Sequence, residues 1–336
     1  MQNTQIRLVS RPGSEGPGLE NFDIVQVPLR PIEDGQILLS TEYLSLDPYM
    51  RARMYEGVNY AESAQLGAPM IGSTVARVLE SRNADFREGD FVESWHGWQS
   101  HHISSGDGLR KIDASIAPVS TALGVLGMPG HTGYGGMLRH GRPQAGETVV
   151  VSAASGTVGG VAAQIARIKG ARVVGIAGGP EKCAFLTDTL RLDAAVDHRA
   201  PDFAAKLVAA CPDGVDVYFD NVGGEVFAAV LPLMRAGGRI PVCGTIAVNR
   251  DGAPQIGEDR MNWVLSRVLV RQLTIAGFIY PQFFDMAEAF RADMSAWIAS
   301  GELAYREDIV NGLENAPQAF LGLFEGRNFG KLLVRP

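Results

Sequence analysis

Glu147-Thr-Val-Val-Val-Ser-Ala-Ala-Ser-Gly-Thr-Val-Gly-Gly160 and, after a helical stretch, Arg172-Val-Val-Gly-Ile-Ala-Gly-Gly-Pro-Glu-Lys182 decide the architecture of this chain. The β-branched run 148–151 lies between Gly146 and a small-residue turn, the pattern of a short strand buried on both faces of a parallel sheet. Over 158–169, Val158, Val161, Ala162, Ile165, Ala166 and Ile168 recur at helical spacing, and Gly170 is placed to end the helix. Residues 172–177 read as a second strand. Strand, turn, helix and parallel strand make a right-handed crossover. Its turn stands at the carboxyl end of the first strand, where such sheets bind ligands.

That turn, Ala154-Ser155-Gly156-Thr157-Val158-Gly159, has the spacing of the dinucleotide fingerprint with alanine in the first glycine position. Gly156 lets the backbone approach a pyrophosphate, Gly159 lets helix and strand pack closely, and the first-turn N–H groups point at the phosphates. The spacing alone also fits an ordinary glycine-rich turn; the flanking strands and a second indicator favour the cofactor. An NAD site usually carries an Asp or Glu about 20 residues beyond the glycines for the ribose 2′-hydroxyl. This chain has Ala177-Gly178-Gly179-Pro180-Glu181-Lys182 there. The glycines open space where a carboxylate would stand, and Lys182 supplies a cation suited to a 2′-phosphate, so NADPH fits better than NADH. The other reading of Glu181 and Lys182 is the start of an exposed helix.

At 336 residues the chain is long enough for two domains, each with its own core. With 46% hydrophobic and 20% charged residues it has no disordered or collagen-like bias, and no apolar run reaches the length of a membrane span. Met1-Gln2-Asn3-Thr4-Gln5 lacks a secretory pattern, so a cytoplasmic enzyme is expected. The net charge of −7 is spread without basic or acidic blocks, which argues against a nucleic-acid partner. Cys183, Cys211 and Cys243 are far apart and include no Cys-x-x-Cys pair, so neither a disulfide framework nor a structural zinc site is indicated.

Strand-like runs at 21–28 and 35–46, a strand pair over 71–81 and a strand at 91–94, punctuated by Gly and Pro, make the first part β-barrel-like. Strand and helix then alternate: strands at 195–197, 215–220, 238–243 and 273–279, and helices at 201–210, from 224, at 262–270 and at 284–300. The stretch 308–317, a short helix and Lys331-Leu-Leu-Val-Arg335 would return the chain to its first part, placing a cleft between the two. The expected division is a β-barrel-type domain over residues 1–122, completed by 305–336, and a Rossmann domain with a doubly wound parallel sheet over 123–304.

Asp47-Pro-Tyr-Met-Arg51, Gly127-Met-Pro-Gly-His-Thr-Gly-Tyr-Gly-Gly136, the 152–159 turn, Gly175-Ile-Ala-Gly-Gly-Pro-Glu-Lys-Cys183, Val215-Asp-Val-Tyr-Phe-Asp-Asn-Val-Gly-Gly224, Cys243-Gly244 and Asn328-Phe-Gly-Lys331 resemble the zinc-independent medium-chain reductases. The branch they resemble holds leukotriene and prostaglandin reductases, alkenal double-bond reductases and curcumin reductase. The resemblance covers nearly the whole chain. It implies a GroES-like substrate domain beside the Rossmann domain, NADPH, a homodimer, and reduction of a carbon–carbon double bond conjugated to a carbonyl, on a small hydrophobic carbonyl substrate. It also implies that Tyr49 lies beside the substrate, that Asn221 faces the nicotinamide, that Asn328 reaches the cofactor from the tail, and that Cys243, Gly244 and Thr245 border it. Where the family usually has a tyrosine after the Cys-Gly turn, this chain has Asn249, and where it commonly has a cofactor-binding tyrosine it has His198.

Each of these residues also has a plainer reading: a buried tyrosine with a satisfied hydroxyl, an Asn-Val-Gly-Gly turn, a histidine exposed at a strand end. Phe278, Ile279 and Tyr280 end a strand on the same side and either contact nicotinamide or substrate or simply fill the core. The chemistry requires a donor for the developing enolate and a proton for the α-carbon. Asn249 can donate a hydrogen bond but cannot act as a phenol-like acid, which leaves Tyr49, Tyr60, Tyr280 or water for proton delivery. Zinc chemistry would need converging Cys and His ligands; His96, His101, His102 and His131 fall in the right half of the chain, but no cysteine precedes Cys183, so no metal is expected. The competing readings are an NADPH quinone oxidoreductase and a catalytically silent NADPH-binding protein on the same fold.

Overall fold

A computed structural model describes residues 1–57, 61–247 and 260–336. The chain runs β1 (Gln2–Leu8), β2 (Phe22–Pro28), β3 (Ile37–Ser45), α1 (Tyr49–Arg53), β4 (Thr74–Ser81), β5 (Phe91–Ser94), β6 (His101–Ser104) and β7 (Arg110–Lys111). It continues through α2 (Met128–Gly135), β8 (Thr148–Val151), α3 (Thr157–Ile168), β9 (Arg172–Ala177), α4 (Pro180–Asp188), β10 (Ala194–Asp197), α5 (Phe203–Ala210) and β11 (Val215–Phe219). Then come α6 (Gly224–Val230), β12 (Met234–Val242), α7 (Met261–Arg271), β13 (Thr274–Gly277), α8 (Ala287–Ala299), β14 (Glu307–Asn311), α9 (Ala316–Phe324) and β15 (Lys331–Arg335).

Two compact units result, one built from Met1–Gly124 and Glu307–Pro336, the other from the described residues between Val125 and Arg306. The divisions lie just beyond the expected 122 and 304. Leu123 packs with Val75 and Leu333 in the first unit, whereas Ala304 and Tyr305 pack against the core of the second.

In the first unit β3 is the axis. It pairs antiparallel with β4 along one edge and with β6 and β15 along the other; β5 on β4 and β7 on β5 are also antiparallel, and β14 lies parallel on β15. The β3–β4 register shifts twice, between Leu38 and Leu39 and between Thr41 and Tyr43, which bends the sheet. Strands β1 and β2 form their own antiparallel ladder. Trp98 centres the core, stacked on Phe22 at 5.5 Å and met edge-on by Phe320 at 5.6 Å. Ile6, Leu8, Leu44, Met50 and Val334 close around it without solvent contact.

In the second unit six described strands form one parallel sheet in the order β10-β9-β8-β11-β12-β13. That is the doubly wound order 3-2-1-4-5-6, with its topological switch between β8 and β11. Alternation along the strands feeds two cores. Val149, Val151, Val217 and Phe219 pack with side chains of α2, α3 and α8, whereas Val150, Tyr218, Val174 and Ile176 pack with α5, α6 and α7. A strand whose two faces are both covered has no polar side, which is why 148–151 carries no alternation. Helix α3 ends as expected. Gly170 takes φ +84° and donates its N–H to the Arg167 carbonyl at 2.9 Å.

Three of the expected elements differ from the sequence reading in pairing or by more than two residues. Residues 71–81 contain one strand, β4, paired on both edges by β3 and β5 rather than folded on itself. β12 begins at Met234, earlier than 238. The helix expected from 284 begins at Ala287, because Tyr280–Met286 wind as a tighter 3₁₀ segment that opens with Pro281 and turns Phe283 into the core against Gly135.

Candidate active site

The first element of the site is the β8–α3 turn. Gly156, extended at φ −83° and ψ 169°, is the N-cap of α3; no side chain caps the helix and no acidic residue stands in its first turn. The helix start is thus left to an external anion. A Cβ on Gly159 would stand 2.9 Å from the Ala153 carbonyl carbon and 3.0 Å from the Ala154 Cα, and nearer still to the Ala153 oxygen. Only a glycine lets α3 lie this close to the turn. Ala153 itself takes a left-handed φ of 48°, and the fully buried Ala154 donates its N–H to the Ile176 carbonyl at 3.0 Å, tying the turn to β9.

The second element is the paired ends of β9 and β10. A Cβ on Gly178 would meet Arg199 Nε at 2.8 Å and His198 Nε2 at 2.9 Å, so the missing side chain opens directly onto two basic groups. Asp197, the carboxylate nearest this corner in sequence, is spent on structure: its Oδ1 accepts the N–H groups of Gly179 and Arg199, each at 2.9 Å. Those two bonds hold its carboxyl below the usual range. Burial and, secondarily, the Arg199 charge push His198 below its ordinary value, so its ring is neutral near pH 7 before an anion arrives. Lys182 lies in the first turn of α4, after Gly179 and Pro180. A corner with basic groups and a carboxylate tied to backbone suits a 2′-phosphate rather than a bare ribose hydroxyl.

The third element is the switch point. Asn221 donates its side-chain amide to the Ser152 carbonyl at 2.7 Å and its backbone N–H to Ser152 Oγ at 2.8 Å, knitting the ends of β11 and β8. Cys243 and Gly244 donate their N–H groups to the Asp220 carbonyl at 2.8 and 3.2 Å, adding the end of β12. Burial and the charge of Asp220 push the Cys243 thiol up to about 12, which makes it a packed thiol and no nucleophile at neutral pH. Thr245 follows on this loop, whose Ala247 N–H reaches the Val222 carbonyl at 3.1 Å. Phe278 is buried, its ring stacked on His140 at 5.3 Å and packed against Gly136, so any cofactor contact at Phe278 falls to its backbone. Ile279 is 38% exposed, and Tyr280 meets His131 edge-on at 5.5 Å.

In the first unit Tyr49 opens α1, half-buried against the core around Trp98. Asn328 donates its side-chain amide to the Gly330 carbonyl at 3.0 Å, shaping the turn into β15. Tyr60 and Asn249 lie outside the described residues.

Two family models match the chain, N-terminal domain of oxidoreductase over residues 4–112 and zinc-binding dehydrogenase over residues 157–300. The chain is 46% identical to the NADPH-dependent curcumin reductase of Escherichia coli (strain K12), across 99% of this chain and 97% of that one. It is 40% identical to prostaglandin reductase 1 of Rattus norvegicus, across 95% of each. The crystal structure of CurA from Vibrio vulnificus in complex with NADPH matches with a TM-score of 0.94 at 46% identity, over 99% of this chain and 98% of that one.

The chain belongs to the zinc-independent medium-chain reductases.

Although one matching model is described as zinc-binding, this reductase has no cysteine before Cys183, and among its described residues no group of three or more His, Cys, Asp and Glu could hold a metal. None of its described helices is long and apolar enough to cross a membrane. Of the residues singled out from sequence, the second unit brings 154–159, Gly178, His198, Asn221, Cys243 and Gly244 to the carboxyl edge of one parallel sheet. Sequence reasoning passed over Arg199, Asp197, Ser152 and Asp220. Arg199 was legible as a basic residue beside His198; the Ser152–Asp220 bond spans 68 positions and carried no local signal.

Proposed function

We infer that this protein reduces the carbon–carbon double bond of α,β-unsaturated ketones or aldehydes with NADPH, passing hydride to the β-carbon without zinc. The observation that carries this reading is the corner where Gly178 opens onto His198 and Arg199 while Asp197 is tied to backbone, in a chain whose full-length relatives are named as NADPH-dependent and prostaglandin reductases. NADPH, when bound, supplies the hydride. The residues of the Gly156–Gly159 turn would hold its pyrophosphate, and Lys182, His198 and Arg199 its 2′-phosphate. Asn221 and the backbone of Cys243, Gly244 and Thr245 would border the nicotinamide. Negative charge then develops on the substrate carbonyl oxygen, and Tyr49 is the assigned hydrogen-bond donor to it.

The protein acts as a cytoplasmic homodimer in this reading. Support for a dimer comes from β13, the outer strand of the six, where Thr274, Ile275 and Gly277 are exposed beside the apolar Leu265, Leu269 and Val270 of α7. A strand that forms the sheet's edge among the described residues, in a unit with such exposed apolar side chains, is a site for pairing with a second copy. Sedimentation velocity tests this, with a monomer at micromolar concentration as the contrary result.

The decisive experiment follows NADPH absorbance with a panel of enones, enals and quinones, with NADH as control cofactor. Turnover of enones to saturated ketones with a preference for NADPH is the expected result. Turnover of quinones alone makes it a quinone reductase, and tight NADPH binding with no turnover makes it a binding protein.

A further inference from the structure

Asp220 is a carboxylate 1% exposed at the end of β11, on the sheet's switch point. Every partner it has among the described residues is a neutral donor. Its Oδ1 accepts Tyr218 OH at 2.7 Å, the Val222 N–H at 2.9 Å, and Ser152 Oγ and the Gly223 N–H at 3.0 Å each. Among the described residues Oδ2 accepts only the Gly223 N–H, at 3.1 Å. Such donors stabilise a buried anion without cancelling its charge, and a charge in a poorly polarisable surrounding acts on whatever stands near it. Its reach is visible in two neighbours: the Cys243 thiol and the Tyr218 phenol are both raised by burial and then by the Asp220 charge. The residues assigned to the nicotinamide hang from this group. Asn221 follows it in the chain, and the N–H groups of Cys243 and Gly244 bond to its own carbonyl.

We propose that the Asp220 carboxylate sets the redox poise of the bound cofactor, favouring the cationic nicotinamide ring over the neutral dihydronicotinamide. The inference rests on the NADPH reading above. When the ring's C–H bond breaks and its electron pair leaves as hydride to the substrate β-carbon, the ring gains one positive charge and the enone oxygen one negative charge. A fixed anion on the ring side stabilises that change as it develops and costs no reorganisation at the moment of transfer. Asp220 touches no substrate; it acts by its field and by positioning the loop ends.

The geometry provides a clean deletion of the charge. In Asp220→Asn the amide oxygen can take the place of Oδ1 and keep all four donors, leaving the amide nitrogen at the Oδ2 position, where among the described residues the hydrogen bond lost is the second branch of the Gly223 N–H. Dissociation constants of NADPH, NADP⁺ and 2′,5′-ADP, measured by calorimetry on wild type and variant, read the effect without turnover. The expected result is a rise of about tenfold in the ratio Kd(NADP⁺)/Kd(NADPH), which is about 30 mV for a two-electron couple. 2′,5′-ADP, which lacks the nicotinamide, should bind unchanged. Parallel weakening of both dinucleotides, or an unchanged ratio, overturns the proposal and leaves Asp220 a structural residue. Tyr218→Phe, which removes one donor and keeps the carboxylate, should move the ratio the opposite way and serves if Asp220→Asn does not fold; no movement there also overturns it. Failure of wild type to bind NADPH sinks the cofactor reading itself, a different outcome from wild-type binding with an unresponsive ratio.

Discussion

The ammonium of Lys331 stands 2.9 Å from the carboxylate of Asp47, with both residues more than nine-tenths buried. Lys331 Nζ also donates to the Leu46 carbonyl at 2.9 Å. The pair ties the Asp47-Pro48-Tyr49 segment to the Asn328-to-Lys331 segment, so two described stretches of the first unit that carry candidate site residues are fixed to each other. Removing one partner leaves a buried charge uncompensated, at about 3–5 kcal/mol. Lys331→Met is therefore expected to lower stability by that order in guanidinium titrations. Asp47→Asn with Lys331→Met should cost less than the sum of the single changes. Additive costs would mean the pair is not energetically coupled.

Gly159 and Gly178 sit beside obstacles of different kinds, and alanine at each should fail differently. At 159 the new Cβ meets backbone of Ala153 and Ala154, which cannot yield without moving α3. An overpacking cost of about 1–3 kcal/mol and loss of NADPH binding are expected together. At 178 the Cβ meets the ends of two side chains, Arg199 and His198, which can swing aside. Thermal stability should then stay within about 0.5 kcal/mol of wild type while the Kd for NADPH rises. Calorimetry and thermal unfolding on the two variants separate these outcomes; equal destabilisation by both would contradict the argument.

Arg199→Ala should weaken NADPH by about 10–100-fold, the worth of a hydrogen bond to a charged group, and leave NADH nearly untouched. His198 adds a pH dependence whose sign is set. Its pKa is depressed in the protein by burial and by Arg199, and a phosphate dianion beside it would raise that pKa. Binding would then take up a proton, so NADPH affinity should tighten as pH falls from 8 towards 6. His198→Gln should flatten that slope. A slope of equal size for NADH would place the proton elsewhere.

How much of this was legible beforehand varied with the range of the interaction. The β8–α3–β9 unit was readable because period and punctuation are local: a strand with no polar face, six apolar positions at helical spacing, a glycine to end it. β1 was not among the strands read, because in Gln2–Leu8 buried Asn3, Ile6 and Leu8 alternate with polar residues too weakly to stand out from a chain terminus. The start of α8 was misplaced because Phe284 fits a helical period, yet Phe283 must enter the core and Pro281 opens a tighter turn. At the site, the glycines announced themselves. What surrounds them did not: Asp197 turning away to bond Gly179 and Arg199, and Ser152 meeting Asp220 across two strands, are products of folding.

His96 and His102 lie face to face with ring centroids 3.5 Å apart, both half-buried. Burial pulls each down to about 4, with His102 also acting on His96. Between pH 6.5 and 4 the unfolded chain would bind protons there that the folded chain refuses. The unfolded state is thus favoured as pH falls, by at most about 1.4 kcal/mol per pH unit for each histidine, and by less because both rings keep some solvent. Guanidinium midpoints should fall from pH 6.5 to 5, and His102→Gln should reduce the fall. An unchanged pH slope in that variant would assign acid sensitivity to other groups.

Tyr49 is the one donor assigned to the substrate side, so its substitution bears most directly on the chemistry. An enolate oxygen gains its charge only as hydride arrives, so a hydroxyl aimed at it contributes to the transition state more than to substrate binding. Tyr49→Phe keeps the ring that packs against the first-unit core and removes only the hydroxyl. The expected effect is a loss of about 10²–10³ in kcat, the usual cost of one oxyanion donor, with KM for the enone and Kd for NADPH little changed. A raised KM with kcat intact would make the hydroxyl a binding group instead. No effect on either would move the donor to the cofactor ribose or to another side chain, and Tyr280→Phe in the second unit would be the next variant to measure.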